Sequence, residues 1–216
     1  ELKVTDNFLT DGNQTDQRTL NAWSPQVGLS YTFSPRFSSF VNLSRSYETP
    51  TLSELSANPT GSGGFNPFVD TQVADNLEGG IHYTSRKTNA SLVYFSITTS
   101  NDLVAYELAD SPGRTFYQNA GSTTRKGVEF LIKHQFNKRF QAQITYNYAN
   151  FKYQDFEQNG ENYSGNNLPG LPSDFGTLHL NYHWENKFQV NYTKTYRGDL
   201  FADNRNENQV DQFFRD

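Results

Sequence analysis

The sequence predicts an all-β protein whose antiparallel strands form part of a transmembrane β-barrel. Segments of about ten residues alternate between apolar and polar side chains, and the connections between these segments are alternately short turns and long loops. Aromatic residues make up 15% of the chain, although only 34% of its residues are hydrophobic. A barrel strand places alternate side chains in lipid and in a wet lumen, so this combination of features is typical of that fold.

Eight alternating segments are predicted strands. In chain order they cover residues 25–33, 37–47, 76–83, 90–97, 128–135, 141–148, 177–184 and 188–192. Each presents one apolar and one polar face, because residues two apart lie on the same side of a strand. Residues 90–97 are the exception, being apolar on both faces. Two further pieces are interpreted as the end of an earlier strand (2–4) and a short strand inside a loop (103–108).

Short turns join these strands in pairs. They lie near residues 35, 87, 138 and 186, which is an interval of roughly fifty residues. Long polar loops separate the pairs and cover residues 48–72, 99–116 and 152–171. Outer-membrane barrels carry short turns on the periplasmic side and long loops on the outside. The loop lengths therefore predict that the turns face the periplasm and the loops the exterior.

The polar face of the strands separates a barrel from its main alternative. A secreted β-sandwich with one solvated face also alternates with a period of two. Gln143 and His179 belong to polar faces that include several amide and imidazole side chains. Such faces suit a wet lumen better than a packed core, and the one-sided loop lengths favour the barrel as well. Ile144 and Leu180, on the opposite faces, are predicted to touch lipid.

Composition excludes several classes of function. A net charge of −5 argues against a general nucleic-acid binder, and the absence of cysteine excludes a disulfide framework and a cysteine-ligated metal site. The sequence has neither a signal peptide at its start nor an apolar stretch long enough for a transmembrane helix. No catalytic motif occurs, and His179 and His183 lie about 13 Å apart along one strand, too far to hold one metal. We therefore expect neither an enzyme nor a bound cofactor.

Three segments carry a resemblance to a known family. They are Tyr-Glu-Thr-Pro-Thr-Leu-Ser-Glu-Leu at 47–55, Asn-Ala-Gly followed by Gly-Val-Glu within 119–129, and Leu-Pro-Gly-Leu-Pro at 168–172. In this order they resemble recurring segments of TonB-dependent outer-membrane receptors. The resemblance covers most of residues 24–197. It implies that residues 1–216 are a truncated carboxy-terminal part of the barrel domain, with about eight or nine of its twenty-two strands. On this interpretation the plug domain and the remaining strands lie outside residues 1–216, and these residues are expected to end in a loop without a terminal aromatic strand.

The resemblance also implies a function. Members of the family import scarce nutrients, commonly ferric siderophores and sometimes cobalamin, haem or glycans, and the inner-membrane TonB complex supplies the energy. The chain is thus expected in the outer membrane of a Gram-negative bacterium, in contact with lipid, as part of a receptor for a ferric siderophore. Contact with the TonB complex would run through the missing plug domain. The alternative is a small outer-membrane barrel that acts as a structural anchor or adhesin; a plug domain upstream in the parent reading frame would exclude it.

Eight residues in or near the long loops are candidate ligand contacts. Six are aromatic residues in otherwise polar segments, and two are arginines at the same rim: Phe65, Phe68, Tyr106, Arg114, Arg125, Tyr153, Phe156 and Tyr163. An aromatic side chain in a water-facing loop packs either against a neighbouring loop or against a ligand. The arginines, together with Lys126, could attract an anionic ligand, and the alternative for each is a solvated charge.

Overall fold

A computed structural model of the protein describes residues 2–8, 14–61, 63–108, 110–119, 121–158, 160–184 and 187–215. These residues form seventeen strands and one short helix. In chain order they are β1 (Leu2–Phe8), β2 (Gln14–Leu20), β3 (Gln26–Ser34), β4 (Phe37–Glu48), α1 (Leu52–Ser56), β5 (Gln72–Thr84), β6 (Thr88–Ser100), β7 (Leu103–Glu107), β8 (Thr115–Asn119), β9 (Ser122–Gln135), β10 (Phe140–Asp155), β11 (Glu157–Gln158), β12 (Glu161–Asn162), β13 (Asp174–Trp184), β14 (Phe188–Arg197), β15 (Leu200–Phe201), β16 (Gln209–Val210) and β17 (Phe213–Arg215).

Nine of the strands in the described residues form one antiparallel sheet. Their order is β3-β4-β5-β6-β9-β10-β13-β14-β17, so each strand pairs with the neighbours that precede and follow it in the sheet-forming part of the chain. The eight predicted alternating segments are all present as strands of this sheet, which we call the wall. Its ninth strand, β17, corrects the expectation of a terminal loop, because Phe213–Arg215 pair with β14. The prediction of an all-β fold with antiparallel strands is therefore confirmed.

The register of the wall separates its two faces as the sequence predicts. Gln143 lies opposite His179, whereas Ile144 lies opposite Leu178 and Ile132. Side chains opposite each other on paired strands share a face, so the apolar residues of neighbouring strands form one continuous surface. Ile144 is 44% exposed on that surface. The apolar face has no protein layer over it in the described structure, as expected for a face that meets lipid.

Aromatic rings collect along the short-turn end of this apolar face. Phe37 and Tyr83 on neighbouring strands have ring centroids 4.8 Å apart. Trp184 and Phe188 stack across the hairpin of β13 and β14, with centroids 5.9 Å apart. Barrels carry such girdles where the hydrocarbon meets the headgroups, because these rings have apolar bodies and, in Tyr and Trp, a polar tip. The girdle identifies one border of the membrane-facing band.

The buried core of the described residues lies mostly in the loops, not in the wall. One cluster consists of Leu55, Phe65 and Val69, and the other of Tyr153, Phe156, Tyr163 and Leu168. The two faces of the wall are reserved for lipid and lumen, so only the long loops can bury apolar side chains against protein. Together with α1 and the short hairpins β7–β8, β11–β12 and β15–β16, they form what we call the loop layer.

Several elements of the loop layer and the amino-terminal region differ from the sequence-based expectation. The strand end predicted at 2–4 belongs to β1, which extends to Phe8, and its partner β2 was missed. The short strand expected at 103–108 is β7, and its partner β8 was missed. Helix α1 was missed too, although Thr51 and Glu54 form a capping box at its start. The turn expected at 185–187 connects β13 and β14, and its residues 185 and 186 lie outside the described residues. No helix among the described residues is long and apolar enough to cross a membrane.

Candidate functional site

Tyr153, near the end of β10, packs with Phe156 and Tyr163 of the loop that joins β10 to β13. Their exposed fractions are 2%, 1% and 9%, and the Phe156 ring lies 4.7 Å from that of Tyr153 and 5.6 Å from that of Tyr163. The backbone closes the cluster, since the amide of Tyr163 donates to the carbonyl of Phe156 at 2.8 Å. These rings therefore pack against their own loop in this structure. Contact of these side chains with a ligand stays a prediction, and it requires this loop to open.

The loop between β4 and β5 separates two candidates that are only three residues apart. Phe65 is buried beside Leu55, whereas Phe68 is 56% exposed. Asn66 between them is fully buried, and its amide donates to the carbonyls of Ala57 and Tyr117 at 3.0 and 2.8 Å. These two bonds fix the path of the loop, so that one ring faces inward and the other faces solvent. Phe68 is thus the candidate of this loop that a ligand can reach directly.

The hairpin of β7 and β8 presents an aromatic and cationic surface. The Arg114 guanidinium carbon lies 4.9 Å from the centroid of the Phe116 ring, within the range of a cation–π contact. Tyr106 packs against the same ring at 6.0 Å, and burial raises the pKa of its hydroxyl. Arg114 remains exposed in this arrangement. Phe116, which holds both side chains in place, was not among the sequence-based candidates.

Arg125 is bound within the protein. Its guanidinium donates to the Asp102 carboxylate at 2.7 Å and to the Thr99 hydroxyl at 2.6 Å. The Thr123 hydroxyl donates to the same Asp102 oxygen at 2.5 Å. Asp102 therefore balances the charge of Arg125 at the foot of the β7–β8 hairpin. Sequence reasoning missed Asp102, because nothing local marks an aspartate 23 residues away as the partner of this arginine.

Lys126 lies on the opposite face of the wall from Arg125. The two residues are neighbours in β9, and successive strand residues point to opposite sides. Arg125 shares its face with the lumen-side Thr99, whereas Lys126 shares the face of Val128 and the other membrane-facing residues. Sequence reasoning grouped both cations as attractors of one anionic ligand, and the structure separates them.

Two loops are joined through Glu161, Asn204 and Arg205, which were not among the sequence-based candidates. Arg205 contacts the Glu161 carboxylate at 2.5 Å, and the Tyr163 hydroxyl donates to the same carboxylate at 2.7 Å. The Tyr153 hydroxyl donates to the Asn204 side chain at 2.9 Å. The hydrogen bond from Tyr163, followed by that from Arg205, holds the pKa of Glu161 below its ordinary value. The loop after β10 and the loop after β14 therefore form one unit.

The eight candidates thus fall into three groups. Phe65, Tyr153, Phe156 and Tyr163 are buried in the loop layer, Arg125 is paired beneath it, and Phe68, Tyr106 and Arg114 reach its surface. In the described part of the chain, no group of three or more His, Asp or Glu side chains is arranged to hold a metal ion. The surface offers aromatic area and one exposed guanidinium, which suits a ligand with apolar and anionic parts.

Residues 3–215 match the protein family described as TonB dependent receptor-like, beta-barrel. The fold also resembles several solved structures. The ferric yersiniabactin uptake receptor FyuA from Yersinia pestis aligns with a TM-score of 0.70 and 18% identity, over 94% of this chain and 30% of that one. The ferric citrate transporter FecA in its unliganded form aligns with a TM-score of 0.74 and 19% identity, over 95% of this chain and 31% of that one.

The copper transporter OprC is a third similar structure, with a TM-score of 0.71 and 16% identity over 94% of this chain and 32% of its own. The present chain therefore spans about a third of the length of each of these proteins. At these identities the likeness concerns the fold.

Proposed function

The chain belongs to the family of TonB-dependent receptor β-barrels, and from this premise we propose that it is part of a receptor that binds and imports a metal-chelate nutrient. A ferric siderophore is the proposed ligand. The match over residues 3–215 carries the proposal. The family places the wall in the outer membrane of a Gram-negative bacterium, and it consists of receptors and transporters, not enzymes.

The names of the similar structures support the choice of ligand class. Two of them are described as receptors or transporters of ferric yersiniabactin and ferric citrate, and a third as a copper transporter. All three names link a transition metal to uptake or transport, and two of them link iron to an organic chelator. A ferric chelate is therefore our first proposal for the present chain, and a chelate of another metal is the second.

The surface of the loop layer supports binding of such a chelate. Phe68 and Tyr106 would supply apolar and aromatic contact, and Arg114 would supply a charge opposite to that of an anionic chelate. Tyr153, Phe156 and Tyr163 would contribute after the loop between β10 and β13 opens. Import itself would require the remaining strands, the plug domain and the TonB complex of the inner membrane.

Growth under nutrient limitation tests the function of the whole receptor. A strain that lacks the parent receptor is grown on ferric siderophores, haem, cobalamin, copper or oligosaccharides as limiting nutrients. We expect a growth defect on one ferric siderophore, restored by the intact gene. A defect confined to oligosaccharides would refute the chelate and retain the transporter. Normal growth on every nutrient would favour the structural anchor or adhesin.

A binding measurement tests the site separately. Arg114→Gln in the full-length receptor removes the exposed guanidinium, so we expect about a tenfold rise in the Kd for an anionic chelate. Arg86→Gln is the matched control, because Arg86 is also an exposed arginine and lies at a short turn on the other rim. Equal effects of the two variants would show that only the net charge matters, and the site would be wrong.

A further inference from the structure

Two lysines lie on the membrane-facing side of the wall, at the end that carries the long loops. Lys126 is opposite Asn150 in the register of β9 and β10, and Lys152 is two residues beyond Asn150 on β10. Residues two apart on a strand share a face, so both lysines share the face of Tyr148 and Ile144. Neither lysine belongs to the lumen side of the wall, where a nutrient would pass.

The lysines mark the upper border of the apolar band. On β10 this face is apolar from Phe140 to Tyr148 and becomes polar at Asn150. On β9 the last apolar residue is Val128, which pairs with Tyr148, and the next residue on that face is Lys126. Ten residues of a strand tilted by about 40° rise roughly 25 Å, the height of the apolar band of an outer-membrane barrel. The lysines therefore stand where the headgroups of the outer leaflet begin.

Among the described residues, no carboxylate forms an ion pair with Lys126 or Lys152. The arginine at a comparable height on β4 behaves differently, since Arg45 contacts Asp75 on the neighbouring strand at 2.7 Å. The wall thus carries a paired cation in one place and two unpaired cations in another, at the same border of the membrane.

A cavity in the outer surface of the wall lies at the two lysines. Its volume is about 430 Å³, and Tyr94, Val128 and Tyr148 form its apolar side, while Lys126 and Lys152 form its polar side. The tyrosines are 46% and 51% exposed, so their rings are open to an occupant. An amphiphile that lies along the wall would meet rings at the depth of its chains and ammonium groups at the depth of its headgroup.

We propose that this lysine patch, formed by Lys126, Lys152, Tyr94, Val128 and Tyr148, binds a phosphorylated lipid of the outer leaflet. A lipid phosphate offers several anionic oxygens, and lysine binds phosphate as a point charge through up to three donated hydrogen bonds. The acyl chains of the lipid lie along Val128 and the rings of Tyr94 and Tyr148, deeper in the membrane than the phosphate. This site goes beyond nutrient import, because it lies on the other face of the wall.

The test compares two double variants of the full-length receptor that remove the same charge. Lys126→Gln with Lys152→Gln removes both ammonium groups of the patch, and Lys87→Gln with Lys138→Gln removes two exposed lysines at the short turns. The probe is a purified phosphorylated lipid A in neutral-lipid nanodiscs, and binding is measured by native mass spectrometry. We expect about thirtyfold weaker binding for the patch variant alone, since each lysine near a membrane surface contributes to attraction of anionic lipid.

Further arms identify the ligand and guard against misfolding. The chemically dephosphorylated lipid should bind the unchanged receptor as weakly as the phosphorylated lipid binds the patch variant, and inorganic phosphate should not displace the lipid. Lys126→Arg with Lys152→Arg should retain binding, which excludes a folding defect at these positions. Equal loss in both glutamine variants, unchanged binding in the patch variant, or displacement by inorganic phosphate would each overturn the proposal.

Discussion

Neighbouring residues of one strand have opposite surroundings in this protein. Gln143 faces the lumen side and Ile144 the apolar side, although both occupy the middle of β10. Ile144→Arg places a charge in the hydrocarbon and should cost roughly 2–4 kcal/mol in free energy of unfolding, while Gln143→Arg should cost far less. A denaturant titration of the full-length receptor in lipid vesicles measures both values. Equal costs would show that the faces are assigned wrongly.

The pair of Asp102 and Arg125 gives a second residue-scale prediction. Asp102→Asn leaves a partly buried guanidinium without its carboxylate and should loosen the foot of the β7–β8 hairpin by about 1–3 kcal/mol. Limited proteolysis should then cut the hairpin faster, whereas Asp110→Asn, an exposed change in the same loop, should not alter the rate. Unchanged cleavage after Asp102→Asn would show that the pair does not fix the hairpin.

At the scale of elements, the long loops and the short turns should lie on opposite sides of the membrane. Single cysteines at Asp110 and Asn162, both exposed in the loop layer, should react with a membrane-impermeant reagent on intact cells. Cysteines at Lys87 and Lys138, exposed at the turns, should react only after the outer membrane is permeabilised. The physical basis is the difference in loop length between the two rims. Labelling of Lys87→Cys on intact cells would reverse the orientation.

The contact between the two outer loops should depend on pH. The pKa of Glu161 is held low by Tyr163 and Arg205, so the ionised form stabilises the contact above the ordinary glutamate pKa, and this stabilisation is lost as pH falls through the lowered value. Protease sensitivity of the loops should therefore rise only in acid. Glu161→Gln should reduce this rise in protease sensitivity, and Glu157→Gln should not. Part of the acid response should persist in Glu161→Gln, because the pKa of Asp203 is also lowered, chiefly by the backbone amide of Asn208.

The wall was predictable from the sequence because its signal is local. Ile144 can be assigned to the apolar face because residues two positions apart on a strand share a face, and its neighbours at that spacing are apolar. The same period of two occurs in most of the strands. The loop layer was not predictable in this way. Tyr153 meets Asn204 across 51 residues, and Asn66 meets Tyr117 across the same separation, so no local pattern reports these contacts. Composition alone also gave no basis for separating the buried Phe65 from the exposed Phe68.

At the scale of the whole molecule, the wall and the loop layer should respond differently to the same kind of damage. Replacing Tyr153, Phe156 and Tyr163 together by alanine removes the larger part of one buried cluster. We expect weaker ligand binding and faster proteolysis of the loops, with little change in the thermal unfolding of the wall, whose ladders include only Tyr153 of this cluster, near the end of β10. Phe68→Ala, an exposed change, serves as the control for loop proteolysis. Unfolding of the wall at a clearly lower temperature would contradict this independence.

The position of the buried core outside the wall has a consequence for biogenesis. The contacts that join one loop to another link distant parts of the chain, such as Tyr153 with Asn204 and Asn66 with Tyr117, and we expect them to form only after the strands between them have paired. A newly inserted receptor would therefore complete its wall first and its outward surface last. Until that final step, the receptor would occupy the membrane without recognising its cargo. An antibody against the assembled loops would then count mature receptors and leave immature ones unmarked.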